Sequence, residues 1–139
     1  MLKTAIAALI GALLYSAIAG AQEWVALRPP AAPGTGKPPQ ILIDVASIEI
    51  LASGLRRATS KTNFLGDEDP GQFAPQTLRF AIWVITYDCA KQLTHSESSE
   101  IHMVGGKVLS GNRPSSKWYP VPSPAADPAF GYVCEWKGK

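Results

Sequence analysis

Cysteine is scarce in this chain: two in 139 residues, Cys89 and Cys134. At most one disulfide can form within it, and a metal site built on these thiols would need ligands from elsewhere. Excess charge is also missing. The formal net charge is +2, and losing Lys3 with a leader would lower it by one. A chain so near neutrality has no bulk basic character with which to hold nucleic acid. Catalytic signatures are absent as well: no G-x-S-x-G, no H-E-x-x-H, no phosphate-cradling glycine loop and no dinucleotide fingerprint. Internal repeats and coiled-coil heptads are lacking. Serine, histidine and aspartate can be grouped on paper, but nothing singles out one set. Cys89 beside a histidine is the least implausible nucleophile, and oxidation with Cys134 would silence it. The expectation is a protein that is not an enzyme and carries no cofactor.

What is present starts with a leader. Lys3 gives a positive start, and residues 4–19 form an Ala-rich apolar run too short for a confident membrane span. Ala19-Gly20-Ala21 fits the small-x-small rule, so residues 1–21 read as a signal peptide cleaved before Gln22. No cysteine stands near the junction to accept a lipid. An uncleaved N-terminal anchor is the competing reading. Residues 22–139 make one domain of ordinary size, long enough to bury roughly 65% of the unfolded surface. In an exported chain a lone cysteine pair most simply forms a disulfide, worth about 4 kcal/mol in the chain-entropy model. A metal site or a redox pair are the alternatives, and the pair lacks C-x-x-C spacing.

The organising stretch is residues 77–91, TLRFAIWVITYDCAK. Leu78, Phe80, Ile82 and Val84 share one face under strict alternation; Ala81, Trp83, Ile85, Tyr87 and Cys89 share the other. With β-branched and aromatic residues throughout and no Gly or Pro, it reads as a central strand covered on both sides. A buried helix is the rival reading. Before it, residues 23–27 are a short strand with Trp24 as a core anchor. Residues 28–39, with five prolines and two glycines, form an exposed loop. Residues 40–50 read as a strand, or a strand plus a helical turn. Ser53-Gly54 then turns the chain into a strand over 55–64 bearing Arg56, Arg57 and Lys61. Those charges serve either as a binding face or to solubilise the sheet and block edge pairing. Residues 65–76 form an acidic turn-rich loop whose spacing does not fit an EF-hand.

Beyond the central strand, residues 93–99 read as a polar connection and 100–109 as a hairpin turning at Gly105-Gly106. His95 and His102 could join Glu97 or Glu100 around a metal, though surface histidines are the commoner case. Residues 117–121, KWYPV, are a short aromatic segment. Ser123 is a good N-cap with Pro124 at the first helical position. The helix would run to about Trp136 and present Phe130, Val133 and Cys134 on one face. A disulfide between Cys89 and Cys134 would then staple this helix onto the Trp83, Ile85, Tyr87 face.

These landmarks occur in a familiar order. Trp24 precedes Ile43-Asp44-Val45-Ala46-Ser47-Ile48, the turn glycine Gly54 and a strand with Arg57. Then come the hydrophobic strand ending Asp88-Cys89, a hairpin with Gly106, Trp118, Pro122-Ser123 and Cys134. The chain resembles the surface-adhesin protein E family of small exported bacterial proteins over nearly all of residues 22–139. Its D-x-x-S-I and its D-C with a terminal cysteine are the most specific marks. The resemblance implies an α+β fold: an antiparallel sheet of about six strands with a C-terminal helix tied to the central strand by a disulfide. It also implies a non-enzymatic binding module that meets host matrix or plasma proteins at the outer surface. A periplasmic envelope-assembly partner without a host ligand is the alternative. The proline-rich and acidic loops depart from the family pattern. Arg56, Arg57, Lys61, Trp118 and Tyr119 are the candidate binding residues. Partners are expected to be proteins, with no nucleic acid, and with the membrane met only through the cleaved leader.

Overall fold

Alternation of apolar residues over long stretches, broken by glycine and proline turns, dictates an antiparallel sheet. A computed structural model describes residues 21–27, 39–111, 117–123 and 126–138. All but the last residue of the signal peptide expected over 1–21, most of the proline-rich loop and the proposed first helical residue Pro124 lie outside them. The strands are β1 (Trp24–Leu27), β2 (Gln40–Ile50), β3 (Leu55–Asn63), β4 (Leu78–Asp88), β5 (Leu93–Met103), β6 (Val108–Gly111) and β7 (Tyr119–Pro120), followed by the helix α1 (Pro128–Glu135). Six strands lie side by side in chain order, all antiparallel, and the two-residue β7 pairs with the far end of β5. The expected α+β architecture is present, with β4 in the interior of the sheet.

Helix α1 starts at Asp127, whose carboxylate accepts from Phe130 N at 3.0 Å, with Pro128 at the first position. The start therefore lies four residues later than the Ser123 cap expected from sequence. Ser123 Oγ instead accepts from Ala126 N in the preceding turn. Shifting the start places Ala129, Phe130 and Val133 on the sheet, where all three are buried. They pack with Ile43, Val45, Ile48, Ala58, Tyr87 and Val121 into one core, joined at its margin by Val25, Leu27 and Ile85. Cys89 and Cys134 are disulfide-bonded with their Cα atoms 5.6 Å apart, tying the end of β4 to the helix. That bond is compatible with an exported or otherwise oxidising environment.

The helix covers one face of the sheet only. Phe80, Ile82 and Val84 point the other way and are half-buried, so the expectation that β4 is covered on both sides is met on the Tyr87 side alone. Trp24 is likewise not a core anchor. In the four-residue β1 it is Val25 and Leu27 that reach the core, which turns Trp24 to the opposite, open face. Residues 93–99 are strand rather than connection, because the edge of β4 offers a ladder of backbone partners from Leu93 to Met103, broken only by two register shifts. The hairpin turn at Gly105-Gly106 holds: Gly106 adopts φ 90°, a region that favours glycine.

The D-x-x-S-I stretch builds a bulge in β2. Asp44, itself buried, accepts from Glu23 N at 2.9 Å and from Ala46 N at 3.1 Å. Ser47 Oγ donates to the Asp44 carbonyl and accepts from Thr59 N at 2.8 Å, replacing a ladder bond where the register of β2 against β3 shifts. These residues fix the backbone rather than offer a binding surface.

Candidate functional site

Neighbouring residues in a strand point to opposite faces, and this separates the basic residues of β3. Arg56 faces the helix. Its Nη1 donates to the carbonyl oxygens of Val133 at 2.8 Å and Trp136 at 2.5 Å, where α1 leaves its last carbonyls unsatisfied. Arg57 and Lys61 face the open side. Since β3 lies between β2 and β4, none of the three blocks an edge.

Arg57 is the centre of a charge cluster. It bonds Glu49 Oε2 at 3.3 Å and Glu97 Oε1 at 3.1 Å through its terminal nitrogens. Its Nε lies 3.0 Å from Glu97 Oε2, close enough for an ion pair, at an angle that does not make a directed hydrogen bond. Glu97 also accepts from Thr86 Oγ1 at 2.6 Å. The Thr86 hydrogen bond and then Arg57 hold its carboxyl below the usual glutamate range, against some opposing desolvation. A register shift between Val84 and Ile85 lets Glu97 reach this point. No local pattern in the sequence pairs Glu97 or Thr86 with Arg57; strand register brings them together.

Lys61 Nζ sits 4.3 Å from the Phe80 ring centre and 6.0 Å from that of Trp24, in cation–π geometry. On its other flank Phe80 stacks on His102 at 4.2 Å, and His102 Nε2 contacts Glu100. His95 stacks on Trp118 at 5.1 Å. The two histidines therefore sit in separate settings. Among the described residues no group of three His, Cys, Asp or Glu is placed to hold a metal ion. Both cysteines are consumed by the disulfide, which leaves the Cys89 thiol unavailable as a nucleophile. Among the described residues no helix is long and apolar enough to cross a membrane.

The remaining candidates, Trp118 and Tyr119, lie together at one end of the sheet. Tyr119 is paired with Thr94 on β5, so the short β7 holds the segment against the scaffold. Val121, two residues on, is buried and anchors it further. Yet Trp118 and Tyr119 stay 40% and 55% exposed. Trp118 also borders a cleft of about 470 Å³ whose walls include Leu55, Leu93, Asp88 and Lys91. Trp118 stacks on His95, which lies on the open-face rung of Arg57 and Thr86, whereas Tyr119 lies on the rung of Thr94, Tyr87 and Arg56 that faces the helix. Each is an exposed amphipathic ring on a fixed backbone at this end of the sheet. The structure thus places Trp118 and Tyr119 at one end of the sheet, puts Arg57 and Lys61 on the open face, and gives Arg56 to the helix. No family model, no curated protein and no solved structure matches this chain.

Proposed function

We propose that this chain is a non-enzymatic, exported bacterial binding module that meets a protein partner at the Trp118–Tyr119 end of its sheet. The observation carrying this reading is the exposure of those two adjacent rings on a segment pinned by β7 pairing and by Val121. Pre-positioned aromatics bury large area at little cost in rotamer entropy, and for that reason they dominate protein interfaces. The resemblance to the surface-adhesin protein E family supplies the partner class: host matrix or plasma proteins. The disulfide fits passage through an oxidising compartment. Arg57 and Lys61 each already engage groups of their own chain.

The test is binding of the oxidised chain to immobilised matrix and plasma proteins. Replacing both Trp118 and Tyr119 by alanine should weaken binding at least about a hundredfold, as for paired hot-spot residues. Arg56→Lys, remote from the surface, should leave it unchanged. Undiminished binding by the double variant would refute the assignment.

A further inference from the structure

The edge strand β1 is fastened ahead of its own first residue. Glu23 N donates to Asp44 Oδ1 at 2.9 Å, and Glu23 O accepts from Val45 N at 2.9 Å. Both backbone groups of residue 23 are therefore held by β2 before β1 begins at Trp24. The Asp44 carboxylate is itself buried, and the same oxygen takes a second donor, Ala46 N, at 3.1 Å. A buried carboxylate that loses one of two donors bears the desolvation cost of the oxygen left short. The bulge built on Asp44 thus depends on residue 23 remaining a peptide-bonded amide.

Gln22 stands immediately before this anchor, exposed and outside any strand. Cleavage after Ala21 leaves the free α-amine on Gln22. The ordinary pKa of an α-amine is about 7.7–8.0, so a sizeable fraction is the neutral nucleophile at mildly alkaline pH. Its nitrogen reaches Cδ of its own side-chain carboxamide through a five-membered ring. Asparagine in the same place would need a strained four-membered ring. Two reacting groups on one residue meet without the entropy cost of a bimolecular encounter. Exposure leaves the Gln22 side chain room to turn back on its own nitrogen, while Glu23 stays fixed.

We propose, on the reading of residues 1–21 as a cleaved leader, that Gln22 is a modification site and closes to a pyroglutamyl lactam in the exported chain. The α-nitrogen bonds to Cδ, and the bond from Cδ to the side-chain amide nitrogen breaks. That nitrogen leaves as ammonia, carrying one proton from the α-amine. No electrons are transferred and no co-reactant is consumed. The terminal positive charge disappears with the amine. An exopeptidase then finds no α-amine at residue 22, so Glu23 keeps its amide and Asp44 keeps both donors. The lactam thereby guards the junction of β1 with β2 at the edge of the sheet.

The experiment is intact-mass spectrometry of the oxidised chain recovered from bacteria that export it, after incubation at mildly alkaline pH. The mass should fit residues 22–139 with one disulfide, less about 17 Da for the ammonia lost. Gln22→Asn should show its full uncyclised mass. A broad-specificity aminopeptidase should release nothing from the wild-type chain and should remove the first residue of the variant. A chain that starts at Gln22 and keeps its ammonia and its free α-amine would overturn the proposal. So would release of glutamine from the wild-type chain by the aminopeptidase. A chain that starts at any other residue, with the leader uncleaved or cut elsewhere, would overturn the leader reading and the site together, and its mass tells that outcome apart from a failure to cyclise.

Discussion

Arg56 Nη1 donates to the Val133 carbonyl oxygen, joining residues 77 apart in sequence and holding the end of α1 on β3. The same nitrogen reaches Trp136 O, so one guanidinium satisfies two carbonyls that the helix leaves open. Hydrogen bonds to charged groups contribute about 1.5–3 kcal/mol each. Arg56→Ala should therefore lower the urea midpoint by the equivalent of about 2 kcal/mol with little change in slope. Arg56→Lys should recover part of it. An alanine variant as stable as wild type would show the contact to be dispensable.

The disulfide acts on the same helix by a different route. Cys89 and Cys134 are 45 residues apart, and cross-linking them restricts the unfolded chain by about 4 kcal/mol. Reduction, or replacement of both by alanine, should lower stability by a comparable amount. The loss should be seen first as protease cleavage within residues 122–138, because only Arg56 and the packing of Ala129, Phe130 and Val133 then hold α1. Free thiols titrated in the native protein would contradict the bond itself.

Tyr87 is fully buried against Phe130, and its hydroxyl has no hydrogen-bond partner among the described residues. Burial, reinforced by the Asp127 carboxylate, pushes its ionisation well above the ordinary tyrosine range. Because the folded value is the higher one, the neutral ring favours the fold fully below the ordinary pKa near 10. That contribution is lost as pH rises beyond it. Tyr87→Phe should be neutral, or up to about 1 kcal/mol stabilising, at pH 7. It should also flatten the decline in stability that wild type shows above about pH 10. A decline identical in both proteins would mean that Tyr87 is not its source.

Glu97 has the opposite sign. Its folded ionisation is lowered, first by Thr86 and then by Arg57. Its charge therefore contributes stability above the ordinary glutamate pKa, and this is lost as pH falls through the lower folded value. Glu97→Gln should be less stable than wild type at pH 7, with the gap closing in the acid range. Thermal melts of both proteins from pH 7 to pH 3 read this directly. A gap independent of pH would assign the cost to packing instead.

How far the sequence foretold this structure depended on what kind of information each feature needs. The β4 strand was legible because β-branched and aromatic residues run unbroken through it. The disulfide and the helix were legible from the lone cysteine pair and the Phe130, Val133 spacing. Residues 93–99 were not, because LTHSESS has weak strand preference of its own and is held by the neighbouring ladder. The helix start was ambiguous for a local reason: Ser123-Pro124 and Asp127-Pro128 carry the same cap signal, and packing of Phe130 and Val133 selects the second. Period-two alternation alone separates Arg56 from Arg57, yet grouping them by charge obscured it. Trp118 and Tyr119 were picked out as exposed aromatics, and both are exposed. The Glu97 link to Arg57 depended on a register shift that no local pattern announces.

The reading of this chain as an exported, outward-facing binding module meets its most direct test in protease shaving of intact cells. A known periplasmic protein serves as the lysis control. The chain should be lost from intact cells while the control survives. A chain fully protected until the outer membrane is permeabilised would contradict surface display and place the protein in the periplasm, as an envelope partner without a host ligand.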